Sequence, residues 1–171
     1  MQNIQDEPYH VIGDLPAKNI DTGAGLERIA TILQGVDTIF ETDVLRPIIA
    51  TAEGATGETY GDSERTDVSL RIMADHGRAV TFLIGDKVVP SNEGRGYVLR
   101  RLVRRAVRHA SLLGAEDLIM PKLVGSTVNV MSEAYPELGE KQDGIIEMVT
   151  REEEQFRRTL RSGHQLLDEE L

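Results

Sequence analysis

Asp21-Thr22-Gly23-Ala24-Gly25-Leu26-Glu27-Arg28 is the stretch on which the fold turns. Its Gly-x-Gly centre invites a dinucleotide-binding reading, which needs a third glycine and a strand–helix–strand unit around it. Arg28 stands where that third glycine would be, and only helical patterning follows. The doubly wound reading is therefore rejected, and the chain reads as mainly α. What the stretch offers instead is a set of backbone N–H groups at the positive end of a helix, with a guanidinium about one turn on. Asp21 precedes them and is free to meet an amine. That combination suits a phosphorylated ligand. The structural alternative is a glycine turn into a helix, with Arg28 in a salt bridge.

Upstream, Tyr9–Ile12 reads as a short strand, followed by a turn at Gly13-Asp14 and a second extended approach at Ala17–Ile20. Two such strands do not make a stable sheet alone, so they read as part of a sheet whose other strands lie elsewhere. Downstream, helices are expected over Gly25–Leu33, over Asp43–Ala52 with its regular part starting at Pro47, and over Asp67–Ile84. Residues 54–66 read as a loop. Two more helices are expected over Lys122–Tyr135 and from Glu140 onward; in the second, Ile145, Phe156 and Leu167 recur every 11 residues along one stripe. His76 falls on the apolar face of its helix, which fits either a hydrogen-bonded core histidine or a substrate or RNA contact.

The chain has 171 residues and a formal net charge of −10, but the charge is unevenly spread. Residues 91–113 hold six arginines and one acid, Glu93, a local +5 that leaves −15 for the rest. Steering follows the local field more than the total. Within this basic helix Leu99, Leu102, Val103, Ala106, Val107 and Ala110 form an apolar stripe. Arg100, Arg104 and Arg108 line up at i, i+4 and i+8, with Arg101 and Arg105 alongside. Stacked like charges repel, and a phosphate backbone lying against them would relieve that; acids elsewhere in the fold would do so too. The absence of Trp, with aromatics at 4%, argues against base-stacking platforms, and the absence of Cys excludes disulfides, thiolate–zinc sites and a thiol nucleophile. Four histidines without ligand-like spacing predict no metal site. No apolar run spans a bilayer and no signal peptide is legible, so a cytoplasmic chain is expected.

The stretch 21–28 resembles motif 3 of the class II aminoacyl-tRNA synthetases, in the form used by the alanyl-tRNA synthetases, with Ala24 where many members carry Met. Further matches follow in order: Ala74-Asp75-His76, Pro90 through Arg101, Arg104 through His109, Glu152-Glu153-Glu154-Gln155-Phe156, and Leu166-Leu167-Asp168-Glu169-Glu170. The resemblance implies an ATP-dependent ligase that activates alanine as its adenylate and passes it to tRNA(Ala), with ATP and Mg2+ serving the parent enzyme. It implies that Arg28 binds the ATP phosphates, Gly23 and Gly25 leave room for substrate, and Asp21 holds the alanine ammonium. It also implies that residues 1–36 close a catalytic core, with short strands from part of a class II antiparallel sheet, and that 37–171 form a helical tRNA-recognition domain. There Asn92 and Asp168 match positions that read a G·U pair in the acceptor stem, while Arg100, Arg101, Arg104, Arg105 and Arg108 contact its backbone. Because the other class II motifs are not in these residues, the chain is expected to be an internal fragment, inactive in alanine activation by itself. A non-catalytic helical RNA-binding module is the alternative. A membrane-binding basic helix is disfavoured, since that helix has no Trp or Phe on its apolar face.

Overall fold

The computed structural model describes all residues except 1, 5–9, 15, 18, 21 and 171, and the side chains from Gly13 onward apart from 15, 18, 21, 164 and 166–171. Two short strands, β1 (Gln2–Ile4) and β2 (His10–Gly13), pair antiparallel. Among the described residues six α-helices follow, with one 3-10 turn (Ile39–Glu41) between the first two: α1 (Leu26–Gln34), α2 (Arg46–Thr56), α3 (Glu64–Gly85), α4 (Gly94–Leu112), α5 (Met120–Met131) and α6 (Pro136–Glu170).

The expected fold class needs correction at its N-terminal end. The chain is mainly α, but no part of a class II antiparallel sheet is seen among the described residues. Among the described residues β2 pairs with β1 alone, in a two-stranded antiparallel sheet, and the described positions of 17–20 carry no strand. The local reason is plain: Pro16 has no N–H to give a ladder, and of residues 17–20 only Ile20 is a good strand former. The expected strand at Tyr9–Ile12 overlaps β2, although Tyr9 itself lies outside the described residues.

The helices start and stop where local chemistry directs. Pro47 sits in the first turn of α2, where its missing N–H costs nothing. Ser63 caps α3 by accepting from the Thr66 N–H at 3.1 Å, with Glu64 and Asp67 in the first turn facing the positive helix end. That cap starts α3 at Glu64, so the loop expected to run to 66 is shorter. α2 ends at Gly57, whose φ of 74° is open to glycine at little cost.

α3 lies at the centre, in contact with α2, α4, α5 and α6. Leu70, Met73, Ala74 and Val80 of α3 are fully buried among Ile48 and Ile49, Leu99 and Val103, and Leu123 and Val124 of its neighbours. Gly77, which weakens the helix prediction on propensity, has a packing reason. A Cβ there would lie 2.8 Å from Leu123 Cβ, so glycine lets α3 and α5 approach closely. Ile145 and Val149 bring α6 into the same core. α1 is different: none of its residues is buried, and Leu26, Ile32 and Leu33 are exposed.

Candidate nucleic-acid interface

The basic helix α4 turns Leu99, Val103, Ala106, Val107 and Ala110 into the core. Its arginines then divide by face. Arg100 donates from Nε to Glu152 Oε2 at 3.1 Å, and Arg104 donates from Nε to Glu152 Oε1 at 2.9 Å. Glu152 comes from α6 and is 5% exposed, so one buried carboxylate holds two neighbouring cations. The Arg104 guanidinium also lies 5.3 Å from the Phe156 ring centroid. For Arg100 and Arg104 an acid elsewhere in the fold thus supplies the counter-charge. Arg101, Arg105 and Arg108 are exposed and make no ion pair among the described residues. Spaced by four and three, they form one outward row with the exposed Tyr97.

Asn92 lies in the loop that enters α4. Its Oδ1 accepts from Arg100 Nη1, while its amide nitrogen has no partner among the described residues. The loop is seated on the first turn of the helix. Gly96 is buried, and a Cβ there would lie 2.3 Å from both the Val89 carbonyl oxygen and Ser91 Oγ. Ser91 Oγ also donates to the Glu93 carbonyl at 2.8 Å. Asp168 belongs to α6, but its side chain lies outside those described.

Behind the arginine row, His109 and His76 fill the seam between α3 and α4. His76 is 9% exposed; its Nδ1 lies 2.9 Å from Asp75 Oδ2, and its Nε2 is buried with no partner among the described residues. The hydrogen bond to His76, with help from nearby Arg78 and Arg105, holds the Asp75 carboxyl below its ordinary value against the opposing effect of burial. His109 Nδ1 lies 3.0 Å from Ser69 Oγ. Burial pushes its imidazole below the ordinary 6.5, and the charges of Arg105, Arg108 and His76 add to the shift.

In the 21–28 stretch, Asp21 lies outside the described residues. Gly25 caps α1 with φ −70° and ψ 119°, and Arg28 is exposed in the first turn. A Cβ at Gly23 would meet nothing within 4 Å, and one at Gly25 would meet only Arg28's own side chain, at 3.5 Å. Neither glycine is required by a close neighbour or by a positive φ. Arg28 makes no salt bridge among the described residues; the ion pair from this helix is that of Glu27 with Arg78 of α3, at 2.8 Å. Its own backbone hydrogen bond and then the bond from Arg78 hold the Glu27 carboxyl below its ordinary 4.5. Among the described residues no group of three or more His, Cys, Asp or Glu is placed to hold a metal ion, and no helix is long and apolar enough to cross a membrane.

Sequence reasoning assigned no role to Glu152 or to the Glu27–Arg78 pair. The signal for Glu152 was present: Val149, Glu152, Glu153 and Phe156 share the inward face of α6, and acids on an apolar stripe call for buried partners. Nothing in the sequence pairs Glu27 with a residue 51 positions away.

Comparison with known proteins bears on this arrangement as a whole. Residues 1–171 match the family model described as tRNA synthetases class II (A). The chain is 54% identical over 157 residues to the alanine–tRNA ligase of Fusobacterium nucleatum, covering 92% of this chain and 18% of that protein. It is 53% identical over 154 residues to the alanine–tRNA ligase of Clostridioides difficile, covering 90% and 18%. It is 51% identical over 170 residues to that of Salinispora tropica, covering 95% and 19%. The chain therefore spans about 18% of the length of the curated relatives it matches. With a family model matched from end to end and relatives at about 50% identity, this chain belongs to the class II tRNA synthetases, in the alanine–tRNA ligase family.

Proposed function

We infer that the chain supplies two parts of an alanine–tRNA ligase: a loop for the nucleotide phosphates at 21–28, and a helical face that receives the acceptor stem of tRNA(Ala). The observation that carries the reading is the outward row Arg101, Arg105 and Arg108, unpaired among the described residues, beside the exposed Asn92. Phosphates meeting that row position the RNA without reading it, whereas Asn92 and Asp168 are suited to reading base edges. A G·U pair leaves the guanine 2-amino group unpaired in the minor groove, and Asn92 Oδ1, which gives one lone pair to Arg100, keeps a second lone pair to accept from it. Arg100 and Arg104 contribute charge near the stem, and Arg100 also holds Asn92.

At the other end, the open space over Gly23 and the exposed Arg28, whose side chain lies against Gly25, fit a phosphate group approaching the first turn of α1. Arg28 would hold the phosphates of ATP and offset the charge that develops as alanine's carboxylate attacks, and Asp21 would hold the ammonium. Mg2+ enters this proposal as the companion of ATP. Residues 1–36 then belong to the catalytic core and 37–171 to tRNA recognition, a division supported by the core cluster beginning at Leu45 while α1 buries nothing.

The deciding experiment measures binding of acceptor-stem hairpins carrying G·U or G·C across a salt series. Salt-sensitive binding that prefers G·U, with the preference lost in Asn92→Ala, is expected. Equal affinity for both hairpins refutes base reading. ATP–pyrophosphate exchange by the isolated chain is expected at background, because 21–28 forms one side of a site; exchange above background refutes that division of labour.

A further inference from the structure

We propose that Glu152 is a positioning residue for RNA recognition: it holds Arg100, and Arg100 holds the Asn92 side chain in place before RNA arrives. The proposal rests on Asn92 being the RNA-contacting side chain. Each oxygen of the buried Glu152 carboxylate takes one guanidinium, Oε2 that of Arg100 at 3.1 Å and Oε1 that of Arg104 at 2.9 Å. Arg104 is braced against the Phe156 ring, so the carboxylate is fixed from one side and fixes Arg100 on the other. Arg100 then extends Nη1 to Asn92 Oδ1. The loop backbone under Asn92 is already seated on Gly96, which leaves the Asn92 side-chain torsions as the freedom still to be removed. Without Glu152, Arg100 would stand among Arg101 and Arg104 with no counter-charge and swing toward solvent, releasing Asn92.

Charge makes the idea separable from a merely structural role. Glu152→Gln removes a negative charge from beside a basic helix, so general RNA affinity should rise and its salt dependence steepen. Over the same change the preference for the G·U hairpin should fall by about 2- to 12-fold, the ordering cost of one interface side chain. A merely structural Glu152 would weaken both hairpins in parallel with a lower melting temperature.

The test uses the 171-residue chain with matched G·U and G·C hairpins, together with 15N relaxation of the Asn92 side-chain amide in the free protein. Arg100→Gln, which breaks the same relay at a partly exposed position, serves if Glu152→Gln folds poorly. Expected results are a mobile Asn92 amide and a reduced G·U preference in both variants, with no further loss when Asn92→Ala is combined with Glu152→Gln. An Asn92 amide as ordered in the variants as in the parent chain overturns the relay, whatever the RNA does. Equal binding of both hairpins by the unaltered chain overturns the recognition role and the reading beneath it, even where Asn92 becomes mobile.

Discussion

Glu153, next to the residue that holds the arginines, has no exposed surface and takes up four hydrogen bonds. Its oxygens accept from the N–H groups of Ile119, at 3.0 and 3.1 Å, and of Met120, at 2.8 Å, at the start of α5. They also accept from Arg157 Nε at 2.9 Å. Arg157 in turn donates to the carbonyls of Ala115, Glu116 and Asp117, so the pair clasps the α4–α5 connection onto α6. Glu153→Ala would strand the helix-end donors and the guanidinium together. A loss of about 3–5 kcal/mol is expected in urea unfolding, with a smaller loss for Glu153→Gln, which keeps an acceptor. At His109 the direction of the pH effect is set by its lowered pKa. The folded state favours the neutral ring, so its contribution to stability is intact above the ordinary 6.5 and declines as pH falls through that value. Melting temperatures recorded from pH 8 to 5 should show a shallower decline in His109→Gln than in the unaltered chain.

At the scale of the element, α4 shows how far sequence pattern reaches. Its apolar stripe and its density of arginine are legible from spacing alone, and the buried positions follow that stripe. Which arginines remain free for a ligand is not legible, because it depends on an acid from α6 that lies 52 and 48 positions further along the chain. The row suggested by spacing, Arg100–Arg104–Arg108, is split by Glu152, and the outward row is Arg101–Arg105–Arg108. This split predicts opposite behaviour for adjacent residues. Arg105→Ala should leave stability within about 0.5 kcal/mol and lower the salt slope of RNA binding by about 1. Arg104→Ala should lower the urea midpoint, since it removes both the Glu152 contact and the packing on Phe156.

For the whole molecule, the position of α3 among four other helices makes its close approaches decisive. Gly77→Ala would gain roughly 0.5–1 kcal/mol of helix propensity but place a methyl 2.8 Å from Leu123 Cβ, an overpacking cost of about 1–3 kcal/mol that should win. Gly144→Ala on α6 meets nothing within 4 Å and should stabilise the chain by roughly 0.5–1 kcal/mol. Thermal melts of the two variants should therefore shift in opposite directions. The helical class, the approximate helix positions, the inward stripes and the family are legible in the sequence, since periodicity, caps and ordered motifs are local properties of the chain. The N-terminal segment reads there, wrongly, as part of a larger sheet, because strand character in a short stretch does not name its partner. Tertiary packing set the pairing of β2 with β1, the close helix approach at Gly77, the meeting of Glu27 with Arg78, and the withdrawal of Arg100 and Arg104 from the free arginine row by Glu152. These are contacts between residues far apart in sequence, where geometry and burial choose the partner and residue type alone does not.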